Sequence, residues 1–263
     1  MSAVLSTNPV HIAAALVGVS SAIQELRADV ELASRVSSPV LIAGEHGVGK
    51  ERLARVVHRA SIRSNAPLAV IRCAELPEAV LERRLFGDAK RIGILRRIEV
   101  GTVVLMEIGA LSPRLQDRLL DFLAAAAGDR PSAGSGGRPG VRLISTTTCP
   151  FVGNGSPVTA NERLYYLLNT MYLAVPPLRD RADDIEPLLE YFTTYYARRH
   201  GVRPRRPSHE CMAGLFRHDW PGNVRQLQAV AALLAVRGDT VSAYELVEST
   251  AHQPARRSGP LLM

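Results

Sequence analysis

The sequence predicts an α/β fold, a parallel sheet flanked by helices, followed by a smaller all-helical subdomain. Three observations carry this. Compact apolar runs, SPVLIAG (38–44), LAVIRC (68–73), VVLM (103–106) and VRLISTT (141–147), alternate with stretches of helical spacing, as strands and helices do in a parallel sheet with both faces covered. The first run breaks at glycine and leads through GEHGVGK into a helix, the context in which a glycine-rich loop cradles phosphate. Beyond PPLRDRADD (176–184) the apolar spacing is helical throughout. The chain accordingly divides into an N-terminal arm (1–15), an α/β core (16–175), a helical subdomain (176–250) and a flexible tail (251–263).

The elements follow in order. Residues 21–34 have helical apolar spacing, and the helix after the glycine loop is expected to run from Lys50 to about Arg63. A helix near 78–86 follows the strand at 68–73. In LSPRLQDRLLDFLAAAA (111–127), Leu111 precedes a serine cap and a proline in the first turn, which together start a helix. The Gly/Pro/Ser segment at 128–140 is expected to be a mobile loop. In the helical subdomain the spacing predicts helices over 185–199, 209–216, 224–236 and 242–250.

A chain of 263 residues is long enough to bury a sizeable core. Its net charge of +7 permits attraction to polyanions without establishing it. Cys73, Cys149 and Cys211 are far apart with no paired metal spacing, so no metal site is expected, and they suit a reducing compartment. No run reaches the roughly 18 apolar residues of a membrane span, and the first residues lack a basic leader; a cytoplasmic location with no membrane contact is expected. The arginine-rich segment 197–207 is read as a solvated face. The histidines form no constellation.

The chemistry sits at two places. Gly44, Gly47 and Gly49 let the backbone turn so that successive N–H groups and a helix amino terminus face an anion, while Lys50 adds a point charge. Glu51 stands where such loops have Ser or Thr to touch magnesium. Val103 to Met106 reads as a buried strand delivering Glu107 to its carboxyl end, where open α/β sheets take their ligands. One carboxylate arrives there, and the thioether of Met106 beside it is a poor ligand for magnesium.

The segments GEHGVGKERLARVVHRAS, CAELPEAVLERRLFG, GTVVLMEIGALSPRLQDRLL, LYYLLN, VPPLRDRADDI and DWPGNVRQL resemble, in order and spacing, the AAA+ P-loop ATPase domain of sigma-54-dependent transcriptional activators, over roughly residues 16–248. Glu51 is usual in that family. The resemblance implies an AAA+ α/β core with a helical lid, holding ATP or ADP in a ring of subunits that remodels sigma-54 RNA polymerase. By position, Val17 and Gly18 lie near the adenine. The loop Gly44, Glu45, His46, Gly47, Val48, Gly49, Lys50 and Glu51 holds the phosphates, Arg225 reaches them from the lid, and Glu107 orients water.

Several family positions are altered. Met106 replaces the aspartate of the second nucleotide motif, Thr148 the sensor I asparagine, and Arg72 the asparagine that switches the catalytic glutamate. The two arginine-finger places hold Asn161 and Leu167. A finger contributes about 10³–10⁵ in rate, roughly 4–7 kcal/mol. Arg163 is nearby, but a two-residue displacement on a helix turns a side chain by about 200°. Arg72 is expected to pair with Glu107 across neighbouring strands. The family's sigma-54 contact loop is absent, LFGDAK passing straight into RIGILRR, and nothing similar to its helix-turn-helix follows the lid, so DNA binding is not expected from such a module.

These features imply a bacterial transcription-regulation protein that binds ATP or ADP, depends on magnesium less than an intact site would, and hydrolyses slowly if at all. Its partner would be an intact AAA+ relative or another copy of itself. The alternatives are an active ATPase remodelling another target, and a nucleotide-free module that binds protein or nucleic acid.

Overall fold

The computed structural model describes residues 9–98, 100–128, 140–148 and 161–237, together with Val247. Its strands are β1 (Val40–Ala43), β2 (Leu68–Arg72), β3 (Thr102–Met106), β4 (Arg142–Thr147) and β5 (Met171–Ala174). Its helices are α1 (Pro9–Ala15), α2 (Ser21–Arg35), α3 (Lys50–Arg59), α4 (Glu78–Phe86), α5 (Ile94–Arg97), α6 (Pro113–Gly128), α7 (Glu162–Leu168), α8 (Ile185–His200), α9 (His209–Arg217) and α10 (Asn223–Arg237). Contact clustering divides the chain into two units, one of residues 1–16, 25–45 and 50–175, the other of 17–24, 46–49 and 176–263.

In the first unit five parallel strands form one sheet in the order β2-β3-β4-β1-β5. The central β3 is buried from Thr102 to Leu105 and β4 along its whole length; β3 reads as an apolar run at 103–106, whereas β4 also buries Arg142, Ser145, Thr146 and Thr147. Edge strand β5 escapes such a reading, because of its four residues only Leu173 is buried. Leu41, Ile71, Val103, Leu105 and Leu143 pack with Leu81, Leu85, Leu115 and Leu119 from α4 and α6. The strand order reverses around β1, and the Gly44 N–H donates to the Thr147 carbonyl at 3.2 Å, so the ends of β1 and β4 are tied together. Ligands of open α/β sheets bind at such a reversal.

One expectation needs correction here. Helix α3 stops at Arg59 and does not reach Arg63. A string of turns follows, and the Arg63 guanidinium turns inward to the carbonyls of Gly101 (3.0 Å) and Gly140 (2.6 Å), a long-range demand that local spacing does not reveal. The arm before residue 16 includes α1, which starts with a proline at its first position and buries Ile12. The helix expected at 242–250, the tail and the loop at 129–139 lie outside the described residues apart from Val247.

Arg142 opens β4 and is 1% exposed. It donates to the carbonyls of Ala33 (2.6 Å) and Ser38 (3.2 Å), fixing the end of α2 to the sheet, and burial with Arg63 nearby lowers its pKa to about 10.

The second unit is built on its own core, where Leu188, Leu215, Leu227, Val230 and Leu234 of α8, α9 and α10 surround Trp220. Trp220 is fully buried at φ +52° and its Nε1 donates to the Leu215 carbonyl at 3.0 Å. Helix α8 ends at Gly201 in the left-handed conformation, and Ser208 caps α9 through the Cys211 N–H. Trp220→Ala is expected to destabilise this unit by about 4 kcal/mol, the usual cost of emptying a large aromatic site, measured as a shift in the denaturant midpoint.

Candidate functional site

The first unit presents the carboxyl ends of its strands with a connected polar cluster. Lys50, the first residue of α3, is 6% exposed. Its Nζ donates to the carbonyls of Gly44 (2.7 Å) and Glu45 (3.2 Å) and lies 3.1 Å from Glu107 Oε1. Glu107 follows β3 at φ +55°, ψ +62°, the left-handed region that a non-glycine residue rarely holds. Its N–H donates to Thr146 Oγ1 at 3.0 Å, and its Oε2 accepts from the Thr148 N–H (3.0 Å) and hydroxyl (2.7 Å). The Thr146 hydroxyl in turn points to Met106 Sδ at 3.7 Å, so the thioether takes a weak hydrogen bond where a carboxylate would take a metal.

The expected Arg72–Glu107 pair does not form. The register does put Arg72 beside Met106, on neighbouring strands. The guanidinium, however, reaches Glu51 Oε2 at 2.8 Å and lies 3.7 Å from Glu75, while Arg55 holds Glu51 Oε1 at 2.8 Å. Glu51 competes successfully because it already faces β2 from the first turn of α3, whereas Glu107 is turned toward Lys50 by its left-handed backbone. Burial alone would raise the Glu51 pKa, but hydrogen bonds from Arg55 and Arg72, with their charges, outweigh it and hold the carboxyl below its ordinary value of 4.5. Cys73, buried next to Arg72, is pushed up to about 12 by burial and then by the Glu107 charge, so it is an inert thiol.

The two positions at which arginine fingers are expected from the sequence are otherwise occupied. Asn161 is the N-cap of α7: its Oδ1 accepts from the N–H groups of Arg163 (3.0 Å) and Leu164 (3.2 Å), and its Nδ2 donates to Asp117 at 2.7 Å. Leu167 is 40% exposed on the same helix, and Arg163 is exposed.

Within the second unit the remaining loop residues are held by backbone contacts. Asn223, at φ +50°, donates from Nδ2 to the His46 carbonyl at 2.9 Å and accepts from the Leu178 N–H at 2.8 Å. The Arg225 N–H donates to the Gly47 carbonyl at 3.1 Å, and its exposed side chain leaves from there. Gly47 sits at φ +79°, where an added Cβ would stand 2.2 Å from the Gly222 carbonyl; Gly49, at φ +106°, would meet nothing within 4 Å. His46 itself is exposed and Val48 buried.

Val17 packs against the Trp220 core. Gly18 (φ +150°) lies against Asp184, where a Cβ would stand 2.6 Å from Oδ1. That fully buried carboxylate accepts from the N–H groups of Val19 (2.6 Å) and Ser20 (2.8 Å) and from the Ser20 hydroxyl (2.8 Å), with buried Arg181 at 3.8 Å. Asp184 and Asn223 are the organising residues that sequence reasoning passes over. The asparagine carries a signal in its tolerance of left-handed backbone, the aspartate none.

Two outcomes follow. Gly47→Ala is expected to cost more stability than Gly49→Ala: both bear the left-handed penalty of about 1–2 kcal/mol, but only the first adds a backbone clash. Thermal midpoints of the two variants check this. For Glu51, a folded pKa below 4.5 means stability that is present above that pH and is lost as pH falls through the folded value; Arg72→Met is expected to raise the folded Glu51 pKa toward its ordinary value, so the variant should be less stable at neutral pH and lose less of its stability on acidification, read by carboxyl NMR titration alongside acid unfolding.

The chain matches the sigma-54 interaction domain over residues 16–174 and the AAA+ ATPase lid domain over 179–260. It is 36% identical over 242 residues to the transcriptional regulatory protein ZraR of Klebsiella oxytoca, covering 88% of this chain and 55% of that protein. To the HTH-type transcriptional regulatory protein TyrR of Salmonella typhimurium it is 36% identical over 226 residues, covering 85% and 44%. It thus spans about half the length of these curated relatives. The crystal structure of NtrX from Brucella abortus in complex with ATP superposes with a TM-score of 0.78 at 30% identity, covering 90% of this chain and 57% of that one; the ADP complex gives 0.75 at 29%, covering 90% and 56%. No helix among the described residues is long and apolar enough to cross a membrane. With an AAA+ sheet order around a glycine loop and more than half its length matched, the chain belongs to the sigma-54 interaction domain family of transcriptional regulators.

Proposed function

We propose that this protein binds ATP or ADP through loop 44–50 and turns it over slowly if at all, so that nucleotide occupancy governs its association with a partner in transcription regulation. The engagement of Glu107 carries the reading. A carboxylate that already answers a buried ammonium and two Thr148 donors is poorly disposed to take a proton from water. Neither finger position supplies a cation, since Asn161 caps a helix and position 167 is leucine.

The nucleotide fits the residues present. The open space before Gly49, the positive φ angles of Gly47 and Gly49 and the ammonium of Lys50 suit a bound polyphosphate. In this reading Gly44, Glu45, His46, Gly47, Val48, Gly49, Lys50 and Glu51 hold phosphate, Arg225 adds charge, and Val17 and Gly18 meet the base. The NtrX complexes with ATP and ADP support the same ligand. Magnesium fits less well: Met106 offers sulfur, Glu51 is committed to Arg55 and Arg72, and among the described residues no group of three or more His, Cys, Asp or Glu forms a metal cluster. Residues 16–175 and 176–250 serve as core and lid. The partner is an intact AAA+ relative or a second copy, to which this subunit donates no finger.

Isothermal calorimetry with ATP is expected to show binding that largely survives magnesium chelation, with phosphate release no faster than in Lys50→Ala. Met106→Asp should increase the magnesium dependence of binding. Sustained wild-type turnover with a strict magnesium requirement would instead establish an active ATPase.

A further inference from the structure

A strongly charged surface lies on the first unit in the segment where LFGDAK runs directly into RIGILRR. Helix α4, the turn at 87–93 and helix α5 carry Arg83, Arg84, Lys90, Arg91, Arg96 and Arg97, all six exposed. The turn gathers them. Gly87 bridges Ile92 in antiparallel fashion, the Asp88 N–H donates to the Arg91 carbonyl at 2.9 Å, and a Cβ on Gly93 would stand 2.2 Å from the Phe86 carbonyl carbon. The end of α4 and the start of α5 therefore lie with their backbones in contact, and the six exposed cations fall within the short segment 83–97 that this turn folds back on itself.

The nearby carboxylates are committed elsewhere. Asp88 Oδ1 accepts from the N–H groups of Lys90 (2.8 Å) and Arg91 (2.9 Å), closing the turn. Its carboxyl is held below its ordinary value first by the Lys90 amide, then by that of Arg91, and also by the charges of Arg83 and Arg91. Glu82 binds Arg114 and Arg118 of α6, and Glu78 accepts from the Ser112 hydroxyl. Among the described residues none of the six cations forms an ion pair with a carboxylate. Six like charges gathered by a tight turn repel one another and concentrate anions at the surface.

We infer that this turn is a binding surface for the phosphate backbone of double-stranded DNA. A duplex presents one negative charge per roughly 1.7 Å of axis, a density that matches a compact arginine cluster. Single-stranded nucleic acid fits less well, because strand binders stack bases on open aromatic rings. The segment's single ring, Phe86, is half-buried with the Arg118 guanidinium 4.6 Å over its centroid. An acidic protein fits less well too, since protein interfaces centre on grouped apolar anchors with charge depleted, and Ile92 alone stands exposed within the turn. The surface is independent of the nucleotide loop and of any helix-turn-helix.

The test is fluorescence anisotropy of the full chain with a labelled duplex of about 20 base pairs, titrated from about 50 to about 200 mM salt. Six phosphate contacts predict a log–log salt slope near −5, from about 0.9 per contact. Neutralising four of them, in Arg83→Gln/Arg84→Gln/Arg96→Gln/Arg97→Gln, is expected to bring the slope to about −2 and weaken binding at least about tenfold. The substituted side chains are exposed, so the unfolding midpoint should stay unchanged. Neutralising Arg198, Arg199 and Arg203 should leave affinity within about twofold. The inference is overturned if wild type does not bind at the lowest salt, if the triple variant loses binding while the quadruple one keeps it, or if polyglutamate competes charge for charge as well as unlabelled duplex.

Discussion

A buried ammonium organises the polar end of this sheet. Lys50 is almost sealed from solvent, and an unanswered charge there would cost several kcal/mol. It is answered by two loop carbonyls, which requires the chain after β1 to curl back over the start of α3, and by Glu107, which requires β3 to end in a left-handed corner. That corner carries strain of order 1–3 kcal/mol. Hydrogen bonds through Thr146 and Thr148 offset it, and the Thr146 hydroxyl extends the chain to the sulfur of Met106. Met106 and Thr148 are thus integrated into a consistent polar network, which keeps the corner rigid.

The other half of the loop owes its shape to different residues. Asn223 and Arg225 hold the carbonyls of His46 and Gly47, and Gly47 approaches Gly222 so closely that no side chain would fit. Asp184 similarly fixes the backbone at 18–20 and leaves no room for a side chain at Gly18. In each case a glycine is required by a neighbouring polar or backbone group, and so WPGNVR reads as architecture.

The central strands were legible in the sequence because burial on both faces leaves an apolar run at 103–106 in β3, and the glycine loop because positive φ angles restrict residue choice. Strand β5 was not, since an edge strand with one buried residue has no periodic signature. Arg63 ended α3 early through partners 38 and 77 residues away. The pairing of Arg72 was misjudged for a related reason: strand adjacency was right, but the direction of Glu107 depends on a backbone conformation that carries no sequence mark. The phosphate loop and Glu107 could be nominated from pattern, while Thr148 as a clamp on the carboxylate and Asp184 as an anchor emerge only in three dimensions.

The cap at the start of α7 bears on which side chain position 161 can hold. Asn161 satisfies two amides of the first turn and reaches Asp117, and caps of this kind are typically worth about 1 kcal/mol. An arginine introduced at that position would add a cation only by fraying the helix that displays it. The residue at 161 is therefore held by the demands of folding, and any charge placed there competes with the start of the helix that presents it.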